Sequence, residues 1–149
     1  MAGCARRDCR NPGSAAPRYG FTIGMADAGL PELCISGYSE IWHTMALLRA
    51  LASLHARTPF RPGQEIAERL KPEKTFTNGA VTEASRLVKL QARAVDDMQM
   101  FNQQAHGYFE RPHGPPGPVL GIQVMWPDAA GRFPDRPDYD HGRCPQELF

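Results

Sequence analysis

The feature that most constrains the fold is residues 119–126, where Leu120, Ile122, Val124 and Trp126 alternate with Gly121, Gln123 and Met125. A period of two puts the two sets on opposite faces of an extended strand. Such a strand needs neighbours for its backbone N–H and C=O groups and a cover for its apolar face. The protein must therefore build a sheet with something packed on it. Just before it, Pro112, Gly114, Pro115, Pro116, Gly117 and Pro118 rule out regular structure and predict a stiff connector.

Further strands and helices follow from the same periodicities. Tyr19, Phe21, Ile23 and Met25 alternate with Gly20, Thr22 and Gly24, predicting a strand. Residues 33–37 are short and apolar, so the two segments read as a hairpin across a turn at residues 26–29. Ser39 is a candidate N-cap, and Ile41, Met45, Leu48, Leu51 and Ala52 recur at spacings of three and four, predicting a helix over residues 39–56. Thr58, Pro59, Pro62 and Gly63 stop it. Residues 64–79 read mostly as loop, with Pro72, Asn78 and Gly79 as breakers. Residues 80–90 fit either period and are read as strand. Met98, Phe101, Ala105 and Tyr108 predict a second helix over residues 95–109, with Asp96 and Asp97 at its positive end.

These elements sum to an α+β fold. The expectation is a single compact domain with a mainly antiparallel sheet and two principal helices packed on one face, because strands with a polar face need cover on one side only. Phe21, Ile23, Ile35, Met45, Leu48, Ile122, Val124 and Trp126 form its expected core. The organisation expected is a flexible basic leader over residues 1–18, the domain over residues 19–140 and a C-terminal tail over residues 141–149.

Composition excludes several function classes. With 149 residues, a net charge of +1 and no fixed-period repeat, the protein has no global field to draw it to nucleic acid or an anionic membrane. No run approaches the roughly 20 apolar residues of a membrane span. The arginines at positions 6, 7, 10 and 18 are not followed by the apolar segment of a secretory signal, so a cytoplasmic location is expected. Four cysteines at uneven spacing do not make a disulfide scaffold, and Cys34 sits within an apolar strand.

Three motifs occur in order: Tyr19-Gly-Phe-Thr-Ile-Gly24, Gly29-Leu-Pro-Glu-Leu33 and Trp126-Pro-Asp-Ala-Ala-Gly-Arg-Phe-Pro134. Together they resemble the bacterial family known as domain of unknown function 4262, over roughly residues 19–140. The family's pattern places an aromatic residue after the last Phe-Pro, whereas Asp135 stands here. The resemblance implies a compact α+β domain and brings no catalytic residues with it.

The last motif carries the main candidate site. Trp126, Asp128 and Arg132 leave a strand end together, and an indole wall beside a guanidinium fork suits a carboxylate or phosphate ligand. The alternative is structural: Asp128 caps the turn, Arg132 pairs with it, and Trp126 and Phe133 are core. Asp135, Asp138, Asp140 and His141 offer metal ligands, but their spacing lacks the order of a calcium loop and suits a solvated turn. Cys4, Cys9, His141 and Cys144 have the ligand types of a zinc site if the termini meet. A disulfide or unlinked thiols are the other readings, and the wide Cys4 to Cys9 spacing favours reduced thiols and no cofactor. His43, His55, His106 and His113 have no local partner that marks a catalytic base, and Cys34 no feature that activates a nucleophile. Gly20 and Gly24 do not precede a helix, as a phosphate-binding loop requires. The balance favours a non-enzymatic binding module for an unknown protein or small-molecule partner. The alternative is a hydrolase-like or metal-dependent enzyme using Asp128, Arg132, Asp135 and His141.

Overall fold

The strand at residues 121–125 lies inside a sheet, as its alternation requires, with backbone partners on both sides. The computed structural model describes residues 3–5, 19–38, 41–69, 73–77, 80–84, 87–99 and 119–149. In sequence order the elements are β1 (Gly3–Ala5), β2 (Tyr19–Ile23), β3 (Glu32–Ser36), α1 (Ile41–Arg57), β4 (Glu65–Arg69), β5 (Glu73–Thr77), β6 (Ala80–Ala84), β7 (Leu87–Ala94) and β8 (Gly121–Met125). Ser39, the candidate cap of the helix, lies outside the described residues. Six strands form one sheet in the order β1-β2-β3-β8-β7-β4, while β5 and β6 form a separate two-stranded ribbon.

The sheet is mixed, which corrects the expectation of a mainly antiparallel one. Its ladders are antiparallel except β3–β8, where Leu33 faces Ile122 and Cys34 faces Gln123 in parallel. A parallel pair needs a long crossover. Here α1 and the β4–β7 segment supply it, so β8 returns between β3 and β7 running the same way as β3.

Residues 64–79, expected to be mostly loop, contain β4 and β5. Glu65 pairs with Gln91 and Arg69 with Leu87 in the main sheet, while β5 pairs with β6 from Glu73–Ala84 to Thr77–Ala80 in the separate ribbon. Asn78 and Gly79 are the two residues linking that last pair, and Asn-Gly is the dipeptide most favoured in a two-residue hairpin. Within the stretch read as a leader, Gly3–Ala5 pair with β2 through Gly3–Ile23 and Ala5–Phe21. The rest of residues 1–18 lies outside the described residues.

One face of the sheet is covered by α1. Leu33, Ile35, Ile66, Leu90, Ala92, Ile122 and Val124 pack there against Leu47, Leu48, Leu51 and Ala52, with Phe60 closing the edge and Trp126 at the margin. Each of these larger apolar groups stabilises the fold by roughly 1.5–3 kcal/mol on leaving water. Gly20 lets the helix approach β2, since a Cβ there would lie 2.9 Å from Leu48 Cδ1 and 3.1 Å from Thr44 Cγ2.

Phe21 and Ile23, expected in that same core, lie instead on the opposite face with Cys34, Tyr19, Val95, Met98 and Phe149. The period of β2 explains this: with Gly20 turned towards α1, its odd-numbered neighbours point away. Among the described residues the second helix expected over residues 95–109 is not borne out, only Gln99 being helical. Val95–Met98 are not helical, and residues 100–109, with His106, lie outside the described residues, as do the 111–118 connector and His113. Among the described residues α1 is the only helix longer than a single turn, and no helix is long and apolar enough to cross a membrane.

Candidate functional site

The first two motifs meet at Glu32. Its carboxyl group is fully buried in β3, and Oε1 accepts hydrogen bonds from Gly24 N at 2.8 Å and Ala26 N at 3.0 Å. Thr22 Oγ1 donates to Oε2 at 2.7 Å and accepts from Leu33 N at 2.8 Å. One carboxyl group therefore closes the β2–β3 connection, satisfying buried donors that would otherwise be costly to hide. No cation is needed for this role.

The third motif is built around Asp128. Its Oδ1 accepts from Ala130 N at 2.9 Å and Arg132 N at 3.0 Å, and its Oδ2 accepts from Arg132 Nε at 2.9 Å and Asp140 N at 3.1 Å. Arg132 NH2 lies 2.9 Å from Oδ2, making the pair a two-nitrogen fork. Partial desolvation works to raise the Asp128 carboxyl group, but the N–H groups of Arg132, Asp140 and Ala130 and the guanidinium prevail and hold it below its ordinary value. Gly131, at φ +79°, supplies the left-handed residue the turn needs. Gly131 N donates to Asp128 O at 2.9 Å, closing the same turn.

Trp126 and Arg132 are likewise committed. Trp126 Nε1 donates to Ser36 O at 2.8 Å, and its ring meets Tyr38 edge to face at 6.0 Å. Arg132 NH1 lies 3.6 Å from the exposed Asp138, a contact worth little by itself. The fold thus brings Trp126, Asp128 and Arg132 into one corner, with Asp128 capping the turn and paired with Arg132, and with Trp126 and Phe133 only partly buried. Asp135 and His141 are exposed on the following turns, and the His141 ring stands edge-on to Tyr139 at 4.8 Å.

Of the zinc candidates, Cys9 lies outside the described residues and Cys4 falls in β1. Cys144 is a partly buried free thiol whose N donates to Asp140 O at 2.9 Å. Among the described residues no three His, Cys, Asp or Glu side chains converge as a metal-holding group. Cys34 is a buried free thiol; desolvation pushes its pKa up, against a weaker opposing pull from Arg93, so it is a poor nucleophile. His55 is buried and satisfied: Phe60 N donates to Nδ1 at 2.8 Å, and Nε2 donates to Pro31 O at 3.2 Å. That pair of partners fixes the neutral Nε2–H tautomer.

The sequence reasoning missed a second polar centre, on the face away from α1. Across four strands, Phe21 faces Cys34, Cys34 faces Gln123 and Gln123 faces Arg93. The C-terminal residues lie over this row. Gln123 Nε2 donates to Glu147 O at 2.6 Å, and Phe149 N donates to Gln123 Oε1 at 3.0 Å. Glu147 N donates to Ser36 Oγ at 3.0 Å, and Arg93 NH1 donates to the Phe149 backbone oxygen at 2.6 Å. The available signal was a glutamine alternating with Ile122 and Val124 in an otherwise apolar strand: a fully buried amide must find partners.

Comparison with known proteins bears on the family and on little else. The family model described as Domain of unknown function (DUF4262) matches residues 2–140. No curated protein and no solved structure matches the sequence.

Proposed function

The protein belongs to the DUF4262 family, and from that premise we propose that it works as a non-enzymatic interaction module. The observation that supports this reading is the Asp128 hub. Its carboxylate oxygens already accept four donors from Ala130, Arg132 and Asp140, so they are engaged in holding a turn rather than poised for proton transfer or metal binding. The buried thiol of Cys34 and the neutral, doubly bonded His55 are in the same position. The reading places the protein in a reducing, cytoplasmic compartment and gives it a protein partner rather than nucleic acid or a membrane.

The test is a turnover screen with ester, phosphoester and amide substrates, with and without added divalent metal, on the full-length protein and on Asp128→Asn and Arg132→Ala. The expected result is no turnover that either substitution abolishes. Turnover lost in Arg132→Ala, with the melting temperature retained, would overturn the reading in favour of an enzyme at the Trp126 strand end.

A further inference from the structure

We propose that the protein self-associates through β4, whose outer edge pairs antiparallel with β4 of a second copy about a twofold axis at Ala67. The main sheet then runs from one copy into the other, β7 and β4 of the first meeting β4 and β7 of the second.

The hydrogen bonds flanking β7 fix which way the backbone of β4 points. Ala92 N donates to Gln64 O and Gly63 N donates to Ala92 O, both at 2.8 Å, so Ala92 turns its polar groups towards the β4 side. Val95 N donates to Gly121 O at 3.0 Å, so the odd-numbered positions of this segment turn towards β8. In an antiparallel ladder these directions alternate along each strand. With Leu90 opposite Ile66 and Val88 opposite Glu68, it is Ile66 and Glu68 that exchange N–H···O bonds with β7. Glu65, Ala67 and Arg69 therefore direct their N–H and C=O groups to the outer edge, and among the described residues β4 has no strand partner besides β7. Three such positions in a row are a template for another strand.

Charge names the occupant. When β4 meets itself with Ala67 opposite Ala67, Glu65 falls opposite Arg69 and Arg69 opposite Glu65, and all three positions are hydrogen-bonded pairs. Opposite charges directly across a ladder attract, and like charges repel. Charged residues on an open edge ordinarily keep strands apart, but opposite signs placed symmetrically about a small central residue do the reverse for a copy of themselves. The neighbouring registers are worse. Centring on Glu68 sets the two Glu68 residues against each other, and centring on Ile66 moves Glu65 and Arg69 out of register with one another. Glu65 and Ala67 are exposed while Ile66 packs in the core, so the pairing leaves the existing packing in place.

Five residues a side make a small interface, so the dimer should be weak and form between about 10 μM and about 1 mM. Sedimentation of the full-length protein over that range should show monomer passing to dimer. Amide exchange at Ala67 and Arg69 should slow as concentration rises, while exchange at Ile66 and Glu68, already bonded to β7, should not change. Ala67→Pro removes an N–H that β7 does not use, so the variant should keep its melting temperature and stay monomeric. Glu65→Arg and Arg69→Glu should each weaken dimerisation roughly tenfold, because each sets like charges opposite one another twice, and the two together should restore it. A protein that stays monomeric at about 1 mM overturns the proposal. So does a dimer that survives Ala67→Pro, or a loss on charge reversal that the double variant does not rescue. Should Ala67→Pro fail to fold, the reversals and their rescue decide.

Discussion

The two faces of the sheet are made by the same strands and are held by different physics. In β3 and β8 every residue is buried, yet Leu33, Ile35, Ile122 and Val124 meet the helix while Cys34, Ser36 and Gln123 lie towards the C-terminal segment. On the helix face stability comes from area removed from water and close packing, which tolerate many apolar combinations. On the other face a smaller apolar cluster around Phe21 and Cys34 is joined by matched donors and acceptors, where one lost partner strands another.

The largest effect should follow from damaging the first kind of face. Ile122 is 3% exposed and sits in the middle of the helix-facing cluster, so Ile122→Ala should cost roughly 2–5 kcal/mol in denaturant unfolding. The loss should be global, with the C-terminal segment and the helix melting together. A cost below about 0.5 kcal/mol would mean that this strand does not organise the core.

Gln123→Ala, one residue along the same strand, tests the other face. It removes the hydrogen bonds to Glu147 and Phe149 and leaves their backbone groups without those partners, for about 2 kcal/mol. Its signature should differ from that of Ile122→Ala: cleavage by trypsin after the exposed Arg143 should accelerate well before global unfolding. If the two variants lose the segment and the core in the same transition, the faces are one cooperative unit and the contrast between them fails.

Gly20→Ala probes how closely the helix face is packed. The added methyl would sit 2.9 Å from Leu48 Cδ1, and Leu48 is fully buried with little room to yield. The expected loss is about 1–2 kcal/mol, smaller than a cavity because a side-chain end can adjust partly. An unchanged or raised melting temperature would show α1 to be loosely seated.

This contrast also explains what could be read in advance. β2, β3, α1 and β8 were legible because an apolar period reports burial directly, and the strand expected over residues 80–90 corresponds to β6 and the first half of β7. β4 and β5 were not, since on β4 only Ile66 marks a core face, while Glu65 and Ala67 are exposed on an edge strand. The Asp128–Arg132 turn was legible as one of two alternatives because its partners are four residues apart. Ser36 and Glu147 are 111 residues apart, and no local pattern announces such a match. The same holds for Glu32, whose value lies in donors that only the folded hairpin assembles.

His55 brings polar matching to the helix side, and pH exposes it. Burial lowers its pKa below the ordinary 6.5, the hydrogen bond to Pro31 O opposing this only in part. Protonation would put a hydrogen on Nδ1, which now accepts the Phe60 N–H, so the folded protein resists the proton that the unfolded state takes up near pH 6.5. The unfolded state then binds more protons, and stability rises with pH in that window. The His55 contribution is therefore complete above about pH 6.5 and is lost progressively as pH falls towards the lower folded-state value. Asp128, also lowered, weakens the fold in a separate window, below its ordinary 3.8. Denaturant midpoints between pH 8 and pH 5 should fall for the parent protein and fall less for His55→Gln, which cannot titrate. Parallel slopes would show that His55 is protonated equally in both states, and that on this face only apolar packing matters.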